Sequence, residues 1–331
     1  MGKILVPGGA GYIGSHTVAE LLNGGFEVVV ADNLETGHKQ AVHPGAKLYI
    51  GDIRDRAFLN GIFETESIDA VIHFAAYSLV GESMTDPLKY YDNNVGGTRN
   101  LLEAMIAYGV TKIVFSSSAS VYGEPESIPI YETDPVHPTN TYGATKLTME
   151  QMLSWTRIAY GVSYISMRYF NACGAHPDGC IGEDHRPETH LIPLILQAAN
   201  GVRPEIQIFG SDYDTKDGTC IRDYIHVCDL AAAHELALRH LLNGGESEII
   251  NLGNGVGFSV LEIIKAAEDV LGRTIPSVSA NRRAGDPARL VASGEKAGML
   301  LNWSPEYTDI REIIQTAWRW HSTHPEGFKV T

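Results

Sequence analysis

From the N-terminus to about Met167, short apolar runs alternate with longer stretches in which apolar residues return every three or four positions. Residues 3–7, 27–31, 47–50, 70–74, 112–115 and 162–167 are short, largely β-branched runs and read as buried strands. Between the first two, Tyr12–Asn23 sets Ile13, Val18, Leu21 and Leu22 on one stripe, and Gly24-Gly25 offers the backbone freedom with which helices end. Further helices are expected near 56–64, 88–108 and 142–160. Strands and helices in strict alternation predict an α/β fold built on a doubly wound parallel sheet with helices on both faces.

Beyond Asn171 the texture changes. Gly, Pro, His and charged residues dominate 174–188, and helical stretches at 191–200, 229–243 and 260–271 are separated by short strands. A second, smaller α/β lobe is expected, in keeping with a length of 331 residues. The apolar stretch 248–251 is placed to return to the main sheet as another strand. The predicted division is therefore interleaved: 1–170 with about 226–252 in one domain, 171–225 with 253–331 in the other.

Composition removes several classes of function. With 44% hydrophobic and 20% charged residues the chain is neither disordered nor fibrous. Its net charge of −15 repels polyphosphate backbones, which argues against nucleic acid as a partner. No apolar run approaches the roughly 18 residues of a membrane span, and residues 1–7 lack a secretory pattern, so a cytoplasmic address is expected and no membrane partner. The four cysteines are irregularly spaced and read as reduced thiols. The thirteen histidines form no His-x-x-x-His, so metal catalysis has no support. His73, inside a strand pattern, reads as a hydrogen-bonded histidine beside the core.

Gly8-Gly9-Ala10-Gly11-Tyr12-Ile13-Gly14 follows the first strand and opens the first helix. In that context Gly8, Gly11 and Gly14 permit a tight turn and a close approach by a pyrophosphate, which then faces the free amides and positive end of the helix. This marks a Rossmann-like dinucleotide site. Asp32 ends the second strand, where a carboxylate accepts hydrogen bonds from a ribose diol and repels a 2′-phosphate, so NAD is favoured over NADP. Asp52 closes the third strand, with loop capping as its alternative reading. Phe74-Ala75-Ala76 closes the fourth at the same edge of the sheet, small enough to let a dinucleotide pass.

Tyr142 and Lys146 lie four residues apart at the start of a helix and so share a face. Bringing a phenol from a pKa of about 10 to near 7 takes about 4 kcal/mol, which an adjacent ammonium and a positive nicotinamide ring are expected to supply. The fifth strand ends in Ser116-Ser117-Ser118. Ser118 is placed to share the proton between the phenol and a substrate alcohol, Ser116 to meet the cofactor, and Ser117 to satisfy loop backbone. Phenolate base, cation and nicotinamide together define oxidation of an alcohol by hydride transfer.

These features resemble the extended short-chain dehydrogenase/reductase family, and its nucleotide-sugar epimerases in particular, along the whole chain. The resemblance also rests on Asp32-Asn33-Leu34, His73-Phe74-Ala75, Val80-Gly81-Glu82-Ser83, Tyr90-Tyr91-Asp92-Asn93-Asn94-Val95 and Tyr169-Phe170-Asn171. Its remaining motifs are Gly218-Thr219, Arg222-Asp223-Tyr224-Ile225-His226-Val227 and Arg282-Arg283-Ala284-Gly285-Asp286. It implies that Tyr12, Ile13, Asp32, Asn33, Asp52, Ile53, Phe74, Asn93, Lys146 and Phe170 hold tightly bound NAD, with Tyr142 as base. It further implies that Asn171, His190, Leu191, Gln207, Phe209, Arg222, Arg283 and Asp286 face a UDP-sugar beside Ser118 and Tyr142. The two arginines suit a diphosphate.

The implied activity interconverts UDP-galactose and UDP-glucose: C4 of the hexose is oxidised, the 4-keto sugar turns over, and the same hydride returns to its other face. A homodimer through the helices near 88–108 and 142–160 is also implied. Pro7 and Ser78 depart from the family pattern, Ser78 where some members carry a lysine near the cofactor phosphates. Leu290, expected to face C2 of the sugar, leaves UDP-N-acetylhexosamines open as substrates. Two rivals are weighed. A dehydratase or decarboxylase of the same family is disfavoured because no acidic pair stands beside Ser118, and a dinucleotide sensor without chemistry would have no use for Tyr142 and Lys146.

Overall fold

Ile4, Leu5 and Val6 are all fully buried although successive side chains of a strand point to opposite faces, so the first strand is covered on both sides. The computed structural model describes residues 2–282 and 286–329. Its elements run β1 (Lys3–Pro7), α1 (Tyr12–Asn23), β2 (Glu27–Asp32), β3 (Lys47–Ile50), α2 (Arg56–Thr65), β4 (Ala70–His73), α3 (Val80–Thr85), α4 (Pro87–Tyr90), α5 (Gly97–Ala107), β5 (Lys112–Ser116), α6 (Thr141–Tyr160) and β6 (Ser163–Tyr169). There follow β7 (Asn171–Cys173), α7 (Leu191–Ala199), β8 (Ile206–Phe209), β9 (Ile221–His226), α8 (Val227–Leu242), β10 (Glu248–Leu252), β11 (Gly257–Ser259), α9 (Val260–Leu271), β12 (Ser277–Ala280), β13 (Arg289–Leu290), α10 (Glu295–Leu301) and α11 (Ile310–Thr323).

Seven strands form one parallel sheet in the order β10-β6-β5-β4-β1-β2-β3. The chain winds outward from β1 in one direction and then from β4 in the other, so a crevice opens at the carboxyl ends of β1 and β4. The strands sort their side chains with period two. Ile4, Val6, Val28, Val30 and Ile72 join α1 and α8 in one apolar cluster. Leu5, Val29, Val71, Ile113 and Phe115 join α2, α5 and α6 in another. The stretch 248–251 does return to the main sheet, as β10 beside β6.

Smaller sheets follow: β9 is flanked by β11 and β13 and also pairs with β7, while β8 pairs with β12. Over them α7, α9 and α11 bury Ile195, Leu196, Ile263, Ile313 and Ile314 in a third cluster. Helix α10, in contrast, sends Ala297 and Leu301 into the cluster of the large sheet, so the stretch 253–331 divides its packing between the two. Among the described residues no helix is long and apolar enough to cross a membrane.

The single helix expected over 88–108 is instead α4, a π-helical turn at Tyr91–Gly96, and α5, preceded by the short α3. The wider turn carries Asn93 and Asn94 together into the interior. Asn94 explains it: its amide donates to Tyr77 O and Thr145 Oγ1 and its oxygen accepts from Tyr77 N, bonds that a buried polar side chain requires.

Beneath the end of β5, Arg168 and Glu150 form an ion pair of 2.6 Å with both side chains almost wholly buried. Ser117 Oγ donates to Glu150, while the Tyr122 hydroxyl accepts from Arg168 and donates to Asn251. The network fastens β5, β6, α6 and β10 together. Glu150→Ala leaves the guanidinium unpaired in the core and is expected to cost about 3–5 kcal/mol, read as a lower urea midpoint with unchanged slope; an unmoved midpoint would show that the network holds nothing.

Candidate active site

The glycine loop bends where β1 meets α1. Gly8 has a φ of +82°, and a Cβ there would lie 2.5 Å from Ala75 N, while one at Gly14 would lie 2.2 Å from Gly8 O. At Gly11 a Cβ would meet only Gly8 O at 3.4 Å, so its missing side chain leaves space above the helix end and does not answer a crowded backbone. No side chain caps α1 at Gly11. An uncapped helix start beneath a side-chain-free turn fits a pyrophosphate. Pro7 keeps its place in the ladder opposite Ala31, and its carbonyl accepts from Phe74 N and Ala75 N.

Asp32 is buried, with one oxygen accepting from Ala10 N at 3.0 Å and the other from Leu34 N at 2.9 Å. Burial pushes its pKa up and the two amides pull against that. Each oxygen retains a further lone pair, so the carboxylate can brace the loop and still accept from a ribose diol. Asn33 donates to Asp52, whose carboxyl Arg54 holds down near 2. Asp52 also accepts from Arg54 N, the loop-capping geometry that had been its alternative reading.

The other cofactor candidates scatter in character. Tyr12 turns its hydroxyl to Gly174 O at 2.6 Å, joining the glycine loop to the segment after β7. Ile13 packs against the first cluster and Ile53 lies buried in the second. Phe74 rests on the His234 ring at 4.7 Å, and Ala75 and Ala76 stay half-buried at the strand end. Ser78 is exposed on the loop before α3, whereas Asn93 is buried and donates to Asn94.

The side chain of Asn140 caps α6 through Gly143 N, and Ser83 Oγ accepts from Tyr142 N, which together fix the first turn. Lys146, one turn on, is buried and donates from Nζ to Ser116 O at 2.6 Å. Its Nζ stands 5.9 Å from the centre of the Tyr142 ring. The Ser118 hydroxyl lies close enough to the Tyr142 phenol to pull its pKa down, and accepts from Ser120 N. Ser116 uses its own hydroxyl on Tyr169.

The electrostatics differ from the expectation that Lys146 lowers the phenol. Burial drives the Lys146 pKa down to about 7, and burial raises that of Tyr142, with only Ser118 opposing. Lys146 Nζ is spent on a carbonyl and stands over the Tyr142 ring. In the protein alone the phenol therefore stays protonated. His73 is buried with Nε2 at 2.9 Å from Thr98 Oγ1. Thr98 donates to Asn94 O, so His73 Nε2 is the donor, and burial lowers its pKa to about 3.

On the other side of the crevice Asn171 donates to Asp223 O, and Arg222 pairs with Asp286 at 2.6 Å. Two residues assigned to the sugar nucleotide thus hold each other. Leu290 lies in register with Arg222 and packs with Phe170 on the cluster of Val121, Tyr122 and Ile130. Phe209 ends β8 half-buried and Gln207 is exposed on that strand. Leu191 opens α7, and His190 just before it is exposed, its Nδ1 engaged by Glu183 and Glu188. Arg283 lies outside the described residues. Tyr169 and Asn94 stand in motifs named from the sequence but receive no role there, although each directly adjoins a residue that does.

Residues 4–253 match the NAD dependent epimerase/dehydratase family. The chain belongs to that family. Within it, the chain is 59% identical over 325 residues to the UDP-glucose 4-epimerase of Lacticaseibacillus casei, covering 98% of each protein. Its fold is similar to a UDP-glucose 4-epimerase from Brucella ovis solved with NAD, at 48% identity and TM-score 0.94, over 96% of this chain and 98% of that one. It is likewise similar to that of Bifidobacterium longum solved with NAD+ and UDP, at 42% identity and TM-score 0.94, over 98% and 100%.

Lys146 has its pKa near 7 when folded against its ordinary 10.5. Between those values the unfolded chain binds more protons, so this group makes stability rise with pH, and its burial cost is fully present below the window. In cofactor-free protein the wild type should gain on Lys146→Met by roughly 1 kcal/mol per pH unit between pH 7 and 10, measured by urea unfolding; parallel pH profiles would contradict the buried, shifted lysine.

Proposed function

We propose that this family member interconverts UDP-galactose and UDP-glucose through transient oxidation of the hexose at C4, using tightly held NAD. One observation carries the reading: Tyr142, Ser118 and Lys146 converge at the carboxyl end of β5, on the same sheet edge as the side-chain-free turn of Gly8, Gly11 and Gly14. The names of the relatives support the same substrates.

The residues present fit NAD. Gly8, Gly11, Gly14 and the start of α1 would take the pyrophosphate, Asp32 a ribose diol, and Lys146 and Ser116 would border the nicotinamide end. Bound there, NAD supplies the acceptor and then the donor of hydride at C4, and its positive ring the field that favours a phenolate. The chain's own residues handle the proton. Tyr142 Oη takes it from the C4 hydroxyl with Ser118 Oγ as the bridging group, and returns it after the keto sugar has turned over. Arg222, braced by Asp286, anchors the diphosphate, so that the hexose alone changes its pose. Glu150, the carboxylate beside Ser117, is tied up by Arg168 and is not free for elimination of water, which disfavours the dehydratase reading.

We also assign the sugar nucleotide to the lobe of 171–225 and 253–331, and the cofactor to 1–170 with 226–252. A cytoplasmic setting agrees with free thiols at Cys173, Cys180, Cys220 and Cys228. A homodimer would bury the apolar surface between α5 and α6, where Trp155 and Ile158 are each 71% exposed. Trp155→Glu should then shift purified protein to monomer in sedimentation velocity; an unchanged sedimentation coefficient would place the interface elsewhere.

Incubation with UDP-galactose and no added cofactor should yield UDP-glucose without accumulating reduced nicotinamide. Tyr142→Phe is expected to keep bound NAD and lose about a thousandfold or more in kcat. In deuterated water the recovered product should carry no deuterium at C4. Wild-type turnover in the variant would remove Tyr142 as base, and label at C4 would remove the internal hydride.

A further inference from the structure

The segment 174–190, between β7 and α7, gathers Glu183, His185, Glu188 and His190, one donor atom from each lying within 4.8 Å of the others. The spacing Glu-x-His-x-x-Glu-x-His sits on a loop, which is why a search for helical His pairs or Cys-x-x-Cys passes over it. His190 Nδ1 is 2.9 Å from Glu183 and 3.0 Å from Glu188, and His185 Nδ1 is 3.2 Å and 3.6 Å from the same two carboxylates. Tetrahedral zinc with bonds of about 2.0–2.1 Å sets its ligand atoms about 3.3 Å apart; Glu183 Oε1 stands near that spacing from both imidazoles, at 2.9 Å and 3.2 Å, while Glu188 meets His190 through Oε1 and His185 through Oε2, the oxygen it would offer to a metal.

Ion pairing alone explains the arrangement less well. Glu183 is buried, its side chain 4% exposed, and its Oε1 together with His185 Nδ1 is sealed from solvent without a hydrogen-bond partner. His190 Nδ1 hydrogen-bonds Glu188 Oε1, whereas Glu183 Oε1 comes within 2.9 Å and 3.2 Å of the two imidazoles without the alignment of donor and lone pair. Glu188 is oriented from behind, its Oε1 accepting from Thr189 N and His190 N.

We propose that Glu183, His185, Glu188 and His190 bind one zinc-class divalent transition metal ion in a closed, four-ligand structural site. Two imidazoles with two carboxylates suit zinc and leave no position for substrate water. The site would fasten a strap already tied at other points. Tyr12 of the glycine loop donates to Gly174 O, Trp320 of α11 donates to Glu183 O, and the His185 ring stands edge-on to Tyr12 at 6.1 Å. The metal would thus clamp the strap between the cofactor turn and the start of α7.

The test uses untagged, full-length protein stripped with a chelator, incubated with equimolar Zn2+, desalted and assayed by elemental mass spectrometry. The wild type should keep about one zinc per chain, and Glu183→Gln with His185→Ala less than about a tenth of that. Co2+ added to the stripped wild type should give the intense visible bands of tetrahedral cobalt, a readout that stands even where the double variant fails to fold. Failure of the wild type to retain zinc, retention by a folded double variant, or an octahedral cobalt spectrum would each overturn the site.

Discussion

The bond from Lys146 Nζ to Ser116 O is the contact on which the active crevice depends. It ties the first turns of α6 to the tip of β5, and so decides where a residue one turn earlier can present its hydroxyl. The bond satisfies a charge with almost no access to water, at a site whose burial alone would favour the neutral amine. Position is secured at the expense of charge: the lysine holds the phenol over the strand tip but does not ionise it. The driving force for ionisation is left to what enters the crevice.

Around this contact the protein satisfies its polar groups in pairs that keep reactive ones available. Ser117 is absorbed by Glu150, and Glu150 by Arg168, leaving Ser118 as the hydroxyl of the triplet that meets the phenol. His73 is spent on Thr98, which is spent in turn on the wide helical turn of Asn94. The three serines at the tip of β5 thus have three separate fates: Ser116 goes to Tyr169, Ser117 to Glu150, and Ser118 to the phenol.

Much of this was legible in the chain. The strands through Met167, the glycine turn between β1 and α1 and the Tyr142–Lys146 spacing follow from local pattern, because period, glycine placement and helical register are short-range properties. The split of the 88–108 helix was not, since it arises from Asn94 finding partners in Tyr77 and Thr145, each far along the chain. Nor was the direction of the Tyr142 and Lys146 pKa shifts, which depends on burial that no spacing reports. The Arg222–Asp286 pair had been read as two separate ligand contacts, because their adjacency comes from β9 pairing with β13.

Phe170 and Leu290 rest on one small apolar cluster, although the resemblance assigns one to the dinucleotide and the other to the sugar. Close-packed side chains on a common support cannot be resized one at a time. Selection for a roomier or tighter sugar seat would therefore be felt by the cofactor's neighbour as well, so that the range of accepted hexoses and the grip on the redox partner must evolve as a linked trait.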